Sequence, residues 1–346
     1  MSALIDLRDL TVELPTPAGW IRPLDSVSFT LEAGESLGLV GESGSGKSML
    51  ALALMGLLPP GANVRGEAWL AGANGASGSR VNLFTLAERE RIGVRGRDIA
   101  MIFQEPMTAL NPVMRVGAQI AEAIRAHEKK LTRDEVDRRV LAALERAAVP
   151  EPAGRARQYP HQLSGGLRQR VMIAMALASH DSSSSHDGKS PVPRLLIADE
   201  PTTALDVTVQ KQILELLARL RRELGLALLF ITHDLAVVAQ VADRIAVTYA
   251  GRIVEEGTAR EVLERPRHPY TVGLLRASPQ LVRHKLEPIP GTVPSPMTLP
   301  PGCAFEPRCP VRVPECTAAM PELRAAGPDH RARCILVNRG EKEAAS

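Results

Sequence analysis

The residues with the clearest chemical meaning form a glycine-rich segment near the N-terminus. The segment from Gly41 to Ser48, GESGSGKS, fits the pattern of a phosphate-binding loop. Its glycines let consecutive backbone N–H groups surround phosphate oxygens, and a helix beginning at Lys47 would direct its N-terminus at the same charge. Lys47 would reach the terminal phosphates, and Ser48 would present a hydroxyl to Mg²⁺. The residues predicted to bind the nucleotide here are Gly41, Ser43, Gly44, Gly46, Lys47 and Ser48.

Two adjacent carboxylates provide the second half of such a site. Asp199 and Glu200 follow Leu195–Ala198, a short apolar segment typical of a buried strand. Asp199 is placed to hold the Mg²⁺ shell, and Glu200 is placed to orient and deprotonate an attacking water. Many strands end in acidic residues, and a glycine-rich segment can be a mere turn. The strand predicted at Ser36–Val40 and the helix after the loop favour nucleotide binding instead.

A third segment predicts another anion site. The sequence from Leu163 to Arg170, LSGGLRQR, places Ser164 and two glycines at the start of a predicted helix. One nucleotide needs only one such site within a chain. We therefore infer that this segment serves the nucleotide of another subunit across a head-to-tail dimer. The alternative is an ordinary capped helix.

The elements that must position these residues alternate between strands and helices. Strands are predicted at Ile5–Leu14, Val27–Leu31, Ser36–Val40, Ile99–Phe103, Leu195–Ala198, Leu226–Ile231 and Ile245–Tyr249. Helices are predicted at Lys47–Leu58, Thr132–Ala148, Ser164–Ala178 and Val207–Leu224. This alternation predicts an α/β fold with a largely parallel sheet. The polar segment His180–Pro193 is predicted to be a loop, and the chain after Leu286 is Pro-rich and irregular.

Composition limits the class of protein. The chain has 346 residues, 45% of them apolar, which is enough for one large domain with an appendage or for two domains. The net charge is only +3 and aromatic residues are 3%, so a nucleic-acid-binding surface is not expected. There is no apolar run long enough to span a membrane and no secretory signal. We expect a cytosolic protein or a peripheral membrane protein.

Taken together, these motifs resemble the ATP-binding subunit of an ATP-binding-cassette (ABC) transporter over nearly the whole chain. Gln104 matches the family's glutamine loop, which contacts Mg²⁺ and the membrane partner. Ala204-Leu205-Asp206 matches the loop that crosses the dimer interface, and His233 matches the switch histidine that contacts the γ-phosphate. The signature residues expected to act on the opposite nucleotide are Ser164, Gly165, Gly166 and Gln169.

The resemblance implies a role for each site residue and a division of the chain into two domains. The expected catalytic residues are Glu200 and His233, and the expected Mg²⁺ ligands are Ser48, Gln104 and Asp199. An aromatic residue usually stacks on adenine, and Trp20 is the candidate; a solvent-facing Trp20 is the alternative. Residues 1–257 should form the nucleotide-binding domain, with a helical subdomain near 105–180 and an antiparallel β portion. Residues 258–346 should form a small, irregular extension containing cysteines.

Two further segments resemble the dipeptide/oligopeptide (and nickel) importer branch of this family. They are Met101–Pro112, with the sequence MIFQEPMTALNP, and His268–Thr271, which Ile289-Pro290-Gly291 follows. All four cysteines, Cys303, Cys309, Cys316 and Cys334, lie in the C-terminal tail, which is similar to that of the branch. Relatives can hold a [4Fe–4S] cluster on four such cysteines. Four thiolates suit that cluster or Zn²⁺, and the absence of a close Cys-x-x-Cys pair favours the cluster.

The resemblance also implies partners. They are two transmembrane permeases, a second ABC ATPase (identical or related) and an extracytoplasmic substrate-binding protein, with no nucleic acid. The chain would then lie at the cytoplasmic face of the inner membrane and couple ATP hydrolysis to peptide uptake. Import of nickel or another small solute is an alternative. A soluble ABC ATPase of DNA repair or ribosomes is another, although one phosphate-binding loop and a short helical stretch disfavour it.

Overall fold

The computed structural model describes residues 3–72, 79–179, 193–279 and 287–337. Its strands are β1 (Ile5–Thr16), β2 (Gly19–Leu31), β3 (Ser36–Val40), β4 (Asn63–Ala71), β5 (Arg80–Asn82), β6 (Ile99–Ile102), β7 (Leu195–Asp199), β8 (Ala227–Thr232), β9 (Arg244–Tyr249), β10 (Arg252–Thr258), β11 (Arg324–Gly327) and β12 (His330–Ala332). Its α-helices are α1 (Lys47–Met55), α2 (Glu88–Val94), α3 (Pro106–Ala109), α4 (Val116–His127), α5 (Arg133–Arg146), α6 (Pro152–Arg155), α7 (Gly165–Ala176), α8 (Val207–Leu224), α9 (Leu235–Val238), α10 (Ala259–Glu264) and α11 (Pro269–Ala277).

The larger sheet has the strand order β11-β12-β10-β9-β3-β8-β7-β6. Its five strands β9, β3, β8, β7 and β6 run parallel, as the alternation of strands and helices predicts. Every residue of β3, β7 and β8 is buried, which is typical of parallel strands covered on both faces. The carboxyl ends of β3, β6, β7 and β8 lead into the four predicted nucleotide-site segments.

The smaller sheet is antiparallel, in the order β2-β1-β4-β5. Both β1 and β2 are longer than their alternating patterns predict, because the two strands pair to their shared turn at Thr16↔Gly19. Leu37 and Leu39 of β3 share a hydrophobic cluster with the inward residues of β1 and β2. This cluster fixes the antiparallel sheet against one face of the parallel sheet.

The helices α3 to α7 lie between β6 and β7 in the chain, in the region predicted to be a helical subdomain. The predicted capping box of α5 is present: Thr132 Oγ1 accepts the Glu135 N–H at 3.4 Å, and Glu135 Oε2 accepts the Thr132 N–H at 2.7 Å. Val136, Val140 and Leu144 are buried on the inner face of α5, as their spacing predicts.

The C-terminal region contains more regular structure than the sequence predicts. The hairpin β11–β12 pairs with β10 and extends the large sheet, and 3₁₀ turns occupy Glu306–Arg308 and Pro314–Thr317. Strands of three or four residues carry too little periodicity to be recognised from sequence. The predicted loop His180–Pro193 lies, apart from Pro193, outside the described residues.

Candidate functional site

The phosphate-binding loop joins β3 to α1, and at two of its positions only glycine fits. Gly46 is the N-cap of α1, with φ +98°, and no side chain caps this helix. A Cβ atom at Gly46 would lie 2.4 Å from the carbonyl oxygen of Pro23 in β2. A Cβ atom at Gly41 would lie 2.2 Å from the carbonyl oxygen of Thr248 in β9. The loop is therefore confined between β2 and β9, and the N-terminus of α1 is suited to bind an anion.

Lys47 is buried within this loop. Its Nζ donates to the carbonyl oxygens of Gly41 at 2.8 Å and of Glu42 at 3.0 Å. Burial lowers the pKa of Lys47, and the carboxylates of Glu200 and Asp199 partly oppose that shift. The ammonium group thus lies beside the loop backbone and near both acidic residues, where it can neutralise phosphate charge.

Ser48 and Asp199 form the oxygen-rich part of the site. Ser48 Oγ donates to Asp199 Oδ1 at 3.2 Å, and Asp199 is buried at the end of β7. Burial raises the pKa of Asp199, and the Ser48 hydrogen bond partly offsets this rise. A hydroxyl and a carboxylate side by side fit the preference of Mg²⁺ for oxygen ligands. The third predicted ligand, Gln104, instead donates its Nε2 to Glu200 Oε2 at 3.3 Å.

Glu200 is the point where three segments of the site meet. Its Oε2 accepts the Thr203 hydroxyl at 2.8 Å and contacts His233 Nδ1 at 3.2 Å, in addition to Gln104. The backbone of Glu200 is left-handed, with φ +46°, an unusual conformation for a glutamate. The hydrogen bond with His233 is the main reason that the pKa of Glu200 is lowered and that of His233 is raised. Thr203 was not predicted; its only sequence signal is its position three residues after Glu200.

The second glycine segment begins α7 and is largely exposed. Ser164 is the N-cap, and its Oγ accepts the Leu167 N–H at 3.4 Å. Gly165 is exposed, whereas a Cβ atom on Gly166 would lie 2.6 Å from Val209 of α8. Gly166 therefore also permits close packing of α7 against α8.

The remaining predicted residues have different environments. Gln169 is 2% exposed, whereas Ser164 and Gly165 of the same segment are exposed. Within the described chain, Nε2 of Gln169 has no hydrogen-bond partner. Asp206 is the exposed N-cap of α8, and its Oδ1 accepts the Val209 N–H at 2.9 Å. Trp20 is 59% exposed on β2, the strand that also carries Pro23 against the phosphate-binding loop.

The cysteines lie close together. All four, Cys303, Cys309, Cys316 and Cys334, line one small cavity beside His268. The sulfurs of Cys303, Cys309 and Cys334 accept backbone N–H groups from the residues two positions later. Burial raises the pKa of Cys303 to about 11, and electrostatic repulsion from the neighbouring cysteines adds to this rise. Among the described residues, no group of three or more His, Cys, Asp or Glu side chains could hold a metal ion.

Two C-terminal residues contact the phosphate-binding loop and were not predicted. Tyr270 accepts the Glu42 N–H at 2.8 Å, and Arg308 donates to the Glu42 carboxylate at 2.7 Å. These contacts join residues more than 220 positions apart, so the sequence gives no local signal for them.

In the parts of the chain that the structure describes, no helix is long and apolar enough to cross a membrane.

Comparison with known proteins agrees with this geometry. The family model described as "ABC transporter" matches residues 24–203, and the model "Oligopeptide/dipeptide transporter, C-terminal region" matches residues 254–316. The chain is 47% identical to "Oligopeptide transport ATP-binding protein OppD" of Salmonella typhimurium, covering 89% of this chain and 87% of the relative. It is 43% identical to "Dipeptide transport ATP-binding protein DppD" of Bacillus subtilis, covering 99% and 98%.

Solved structures give the same family. The dimeric post-hydrolysis state of the ATP-binding cassette MJ0796, bound to ADP and Pi, matches with a TM-score of 0.61 and 28% identity. That match covers 74% of this chain and 99% of the cassette. The cbiO1 subunit of an ABC transporter complex from Clostridium perfringens has a TM-score of 0.59 at 25% identity, covering 79% of this chain and 96% of that one. The chain therefore belongs to the ABC transporter family, among the oligopeptide and dipeptide transport ATP-binding proteins, and it is an ATPase that uses ATP and Mg²⁺.

Proposed function

We propose that this chain is the ATP-hydrolysing subunit of an importer for dipeptides or oligopeptides. The observation that carries the proposal is the match of residues 254–316 to the C-terminal region of oligopeptide/dipeptide transporters. Relatives that align with nearly the whole chain carry peptide-transport names and support it. The phosphate-binding loop and the carboxylates provide the ATP chemistry, but they do not distinguish one transported solute from another.

Each residue of the ATP site has a proposed role. The loop N–H groups and Lys47 hold the phosphates, while Ser48 and Asp199 hold Mg²⁺, which neutralises phosphate charge; Gln104 joins them as a ligand. Glu200 orients and deprotonates the attacking water, and its contact with His233 supports a sensing role for that histidine. We assign these roles to a nucleotide-binding domain of residues 1–257, with residues 258–346 as the extension.

The complete site requires two subunits. We propose that Ser164, Gly165 and Gly166 close on the nucleotide of a second ATPase, identical or related, while Asp206 lies at the dimer interface and Trp20 stacks on adenine. The exposure of Ser164, Gly165 and Asp206 supports this arrangement. Gln169 belongs to the same signature, but its burial means that it would act by supporting α7.

The proposed partners and location follow from the role of the chain as the ATPase subunit of an importer. Two transmembrane permeases would bind near Gln104, where the exposed side chains of Phe103, Met107 and Val113 offer apolar contact. The chain would then lie at the cytoplasmic face of the inner membrane, and an extracytoplasmic binding protein would deliver the peptide. Nucleic acid is not a proposed partner.

The transported solute can be tested by uptake. A strain that lacks this gene should take up radiolabelled di- and tripeptides only when complemented by the wild-type chain, and not by Lys47→Ala. Uptake of ⁶³Ni²⁺ in the same strains is the matched comparison. Nickel uptake that depends on the chain, with no peptide uptake, would reject the peptide proposal.

We propose further that the four cysteines hold a [4Fe–4S] cluster, with Zn²⁺ as the alternative. The shared cavity and the N–H groups directed at three sulfurs support thiolate ligation. Bound there, a cluster would supply a rigid centre that crosslinks the tail.

Anaerobic purification tests the identity of this group. The expected result is a brown protein with iron and sulfide in equal amounts, lost in Cys309→Ser. Stoichiometric zinc without iron would establish the alternative. Protein with neither element and four reactive thiols would reject both.

A further inference from the structure

Arg308 lies in the C-terminal region, yet its guanidinium group binds the phosphate-binding loop. Its Nη1 donates to Glu42 Oε2 at 2.7 Å and its Nη2 donates to Glu42 Oε1 at 3.0 Å, which is a bidentate pair. Its Nε donates to the Pro290 carbonyl at 2.9 Å, and Nη1 also lies 3.3 Å from Tyr249 Oη. The Arg308 side chain is 4% exposed, so its orientation is fixed by these contacts.

The same loop position is held a second time through its backbone. The Glu42 N–H donates to Tyr270 Oη at 2.8 Å. The Tyr270 ring lies 4.6 Å from that of Tyr249 and 5.4 Å from that of Phe305. Residues of the C-terminal region therefore hold both the backbone and the side chain of Glu42.

The turn that carries Arg308 also carries two of the four cysteines. The Arg308 N–H donates to the Phe305 carbonyl at 3.0 Å, and the Glu306 N–H donates to the Cys303 carbonyl at 2.9 Å. Cys309 directly follows Arg308, and the Cys303 N–H donates to the Cys316 carbonyl at 2.8 Å. We call Cys303–Cys316, together with Cys334, the cysteine segment. Order in this segment therefore fixes the backbone position from which the Arg308 side chain reaches Glu42.

The negative charge of Glu42 connects its contact with Arg308 to the binding of ATP. Glu42 places a carboxylate within the loop that receives a highly anionic triphosphate, and like charges repel. Arg308 neutralises this carboxylate with two charge-assisted hydrogen bonds. Without Arg308, the Glu42 carboxylate would lose its ion-pair partner and would repel the phosphates more strongly.

We propose that Arg308 is a positioning residue through which the cysteine segment controls the affinity of the phosphate-binding loop for ATP. An ordered segment keeps Glu42 paired and the loop ready for phosphate. A disordered segment releases Glu42 and weakens ATP binding. Coupling between two sites is reciprocal, so bound nucleotide also stabilises the cysteine segment by the same factor.

The first test measures the dissociation constant of ATPγS by fluorescence or calorimetry. Arg308→Met keeps most of the buried volume and removes the charge, and we expect ATPγS to bind about tenfold more weakly. Glu42→Gln removes the repelling carboxylate, so the double variant should return to within about threefold of the wild-type affinity. Arg312→Met is the matched control: Arg312 lies in the same segment but pairs with Glu306 on the surface, and its loss should leave the affinity unchanged.

Rescue by the second substitution distinguishes positioning from general damage, which two substitutions would worsen. A double variant as weak as Arg308→Met, or equal losses in Arg308→Met and Arg312→Met, would overturn the proposal. This result does not depend on which metal the cysteines hold, although the link to the cysteine segment rests on the function proposed for those cysteines.

The second test reads the coupling in the wild-type protein and uses a variant only as its control. Iodoacetamide labelling of Cys303 and Cys309 is followed by peptide mass spectrometry, with and without saturating ATPγS. The expected result is labelling that is several-fold slower with nucleotide, and no such slowing in Glu42→Gln. Equal rates in the wild-type protein would show that the segment and the loop are not coupled. Elemental analysis of the same sample reports separately on the proposed cluster.

Discussion

The glycine motifs lie at the N-termini of two helices, α1 and α7. The two sites differ in how many charged and hydrogen-bonding groups of this chain surround them. At α1, Lys47 is buried, Ser48 donates a hydrogen bond to Asp199, and the phosphate-binding loop lies between β2 and β9. At α7, Ser164 and Gly165 are exposed. Both ends are suited to an anion, but only the first is surrounded by the charged groups that phosphoryl chemistry needs. The comparison supports the proposal that α1 is the fixed half of the ATP site and that α7 is the half offered to another subunit.

The largest effect is expected from removing the proposed general base, Glu200, which lies in the half of the site that contains α1. Glu200→Gln should lower ATP hydrolysis by about 10²- to 10³-fold, because the amide cannot accept a proton from water. ATP binding should remain, and the dimer should persist in ATP by size-exclusion chromatography. Glu215→Gln, an exposed glutamate on α8, is the control. Hydrolysis retained in Glu200→Gln would reject the assigned role of Glu200.

The exposed half can be tested in the same assay. Ser164→Arg should lower hydrolysis in the assembled transporter by about 10²-fold, because a donor at the phosphates is replaced by a bulky side chain. ATP binding to the isolated chain should be unchanged, since Ser164 lies outside its own phosphate-binding loop. Thr132→Ala removes another N-cap, and it should cost about 1 kcal/mol of stability without affecting hydrolysis. If Ser164→Arg instead weakens binding to the isolated chain, α7 is not the partner-facing half.

Trp20 sharpens the description of the fixed half. If Trp20 stacks on adenine, Trp20→Ala should weaken ATP binding by about tenfold, the effect of losing one aromatic stacking contact. Trp69→Ala is the matched control because Trp69, the only other tryptophan, lies on β4 and bonds to Glu67. Quenching of the Trp20 fluorescence by ATP in Trp69→Ala protein provides a direct readout. Equal affinity in both variants would leave Trp20 as a surface residue.

Trp20 also shows what the sequence can and cannot predict. The helix that follows the glycine-rich loop, the buried strand that ends at Asp199 and the caps of α5 and α7 were predictable, because each depends on a local pattern. The register of β2 was not, since irregular pairing between Val12 and Leu14 changes which residues share a face. The Arg308–Glu42 pair and the hairpin β11–β12 depend on contacts distant in sequence, which no local pattern reports.

The smallest expected effect concerns the pair formed by Glu200 and His233. The pKa of Glu200 is lowered from 4.5 and that of His233 is raised from 6.5, each mainly by their mutual hydrogen bond. The stability from Glu200 is present above pH 4.5 and is lost as pH falls through its lowered pKa. The stability from His233 is present below pH 6.5 and is lost as pH rises through its raised pKa. Both contributions are therefore complete only between about pH 4.5 and 6.5.

His233→Gln should accordingly reduce the free energy of unfolding most near pH 5.5. Because the His233 side chain is 57% exposed, solvent screening should limit the loss to less than about 1 kcal/mol. Calorimetry at pH 5.5 and pH 8.5 measures the difference, and Glu200→Gln should abolish it because the histidine then has no carboxylate partner. A loss that is the same at both pH values would show that His233 does not carry charge in this pair. In that case His233 would contact Glu200 only as a neutral hydrogen-bonding group, and the fixed half of the ATP site would hold one charge fewer.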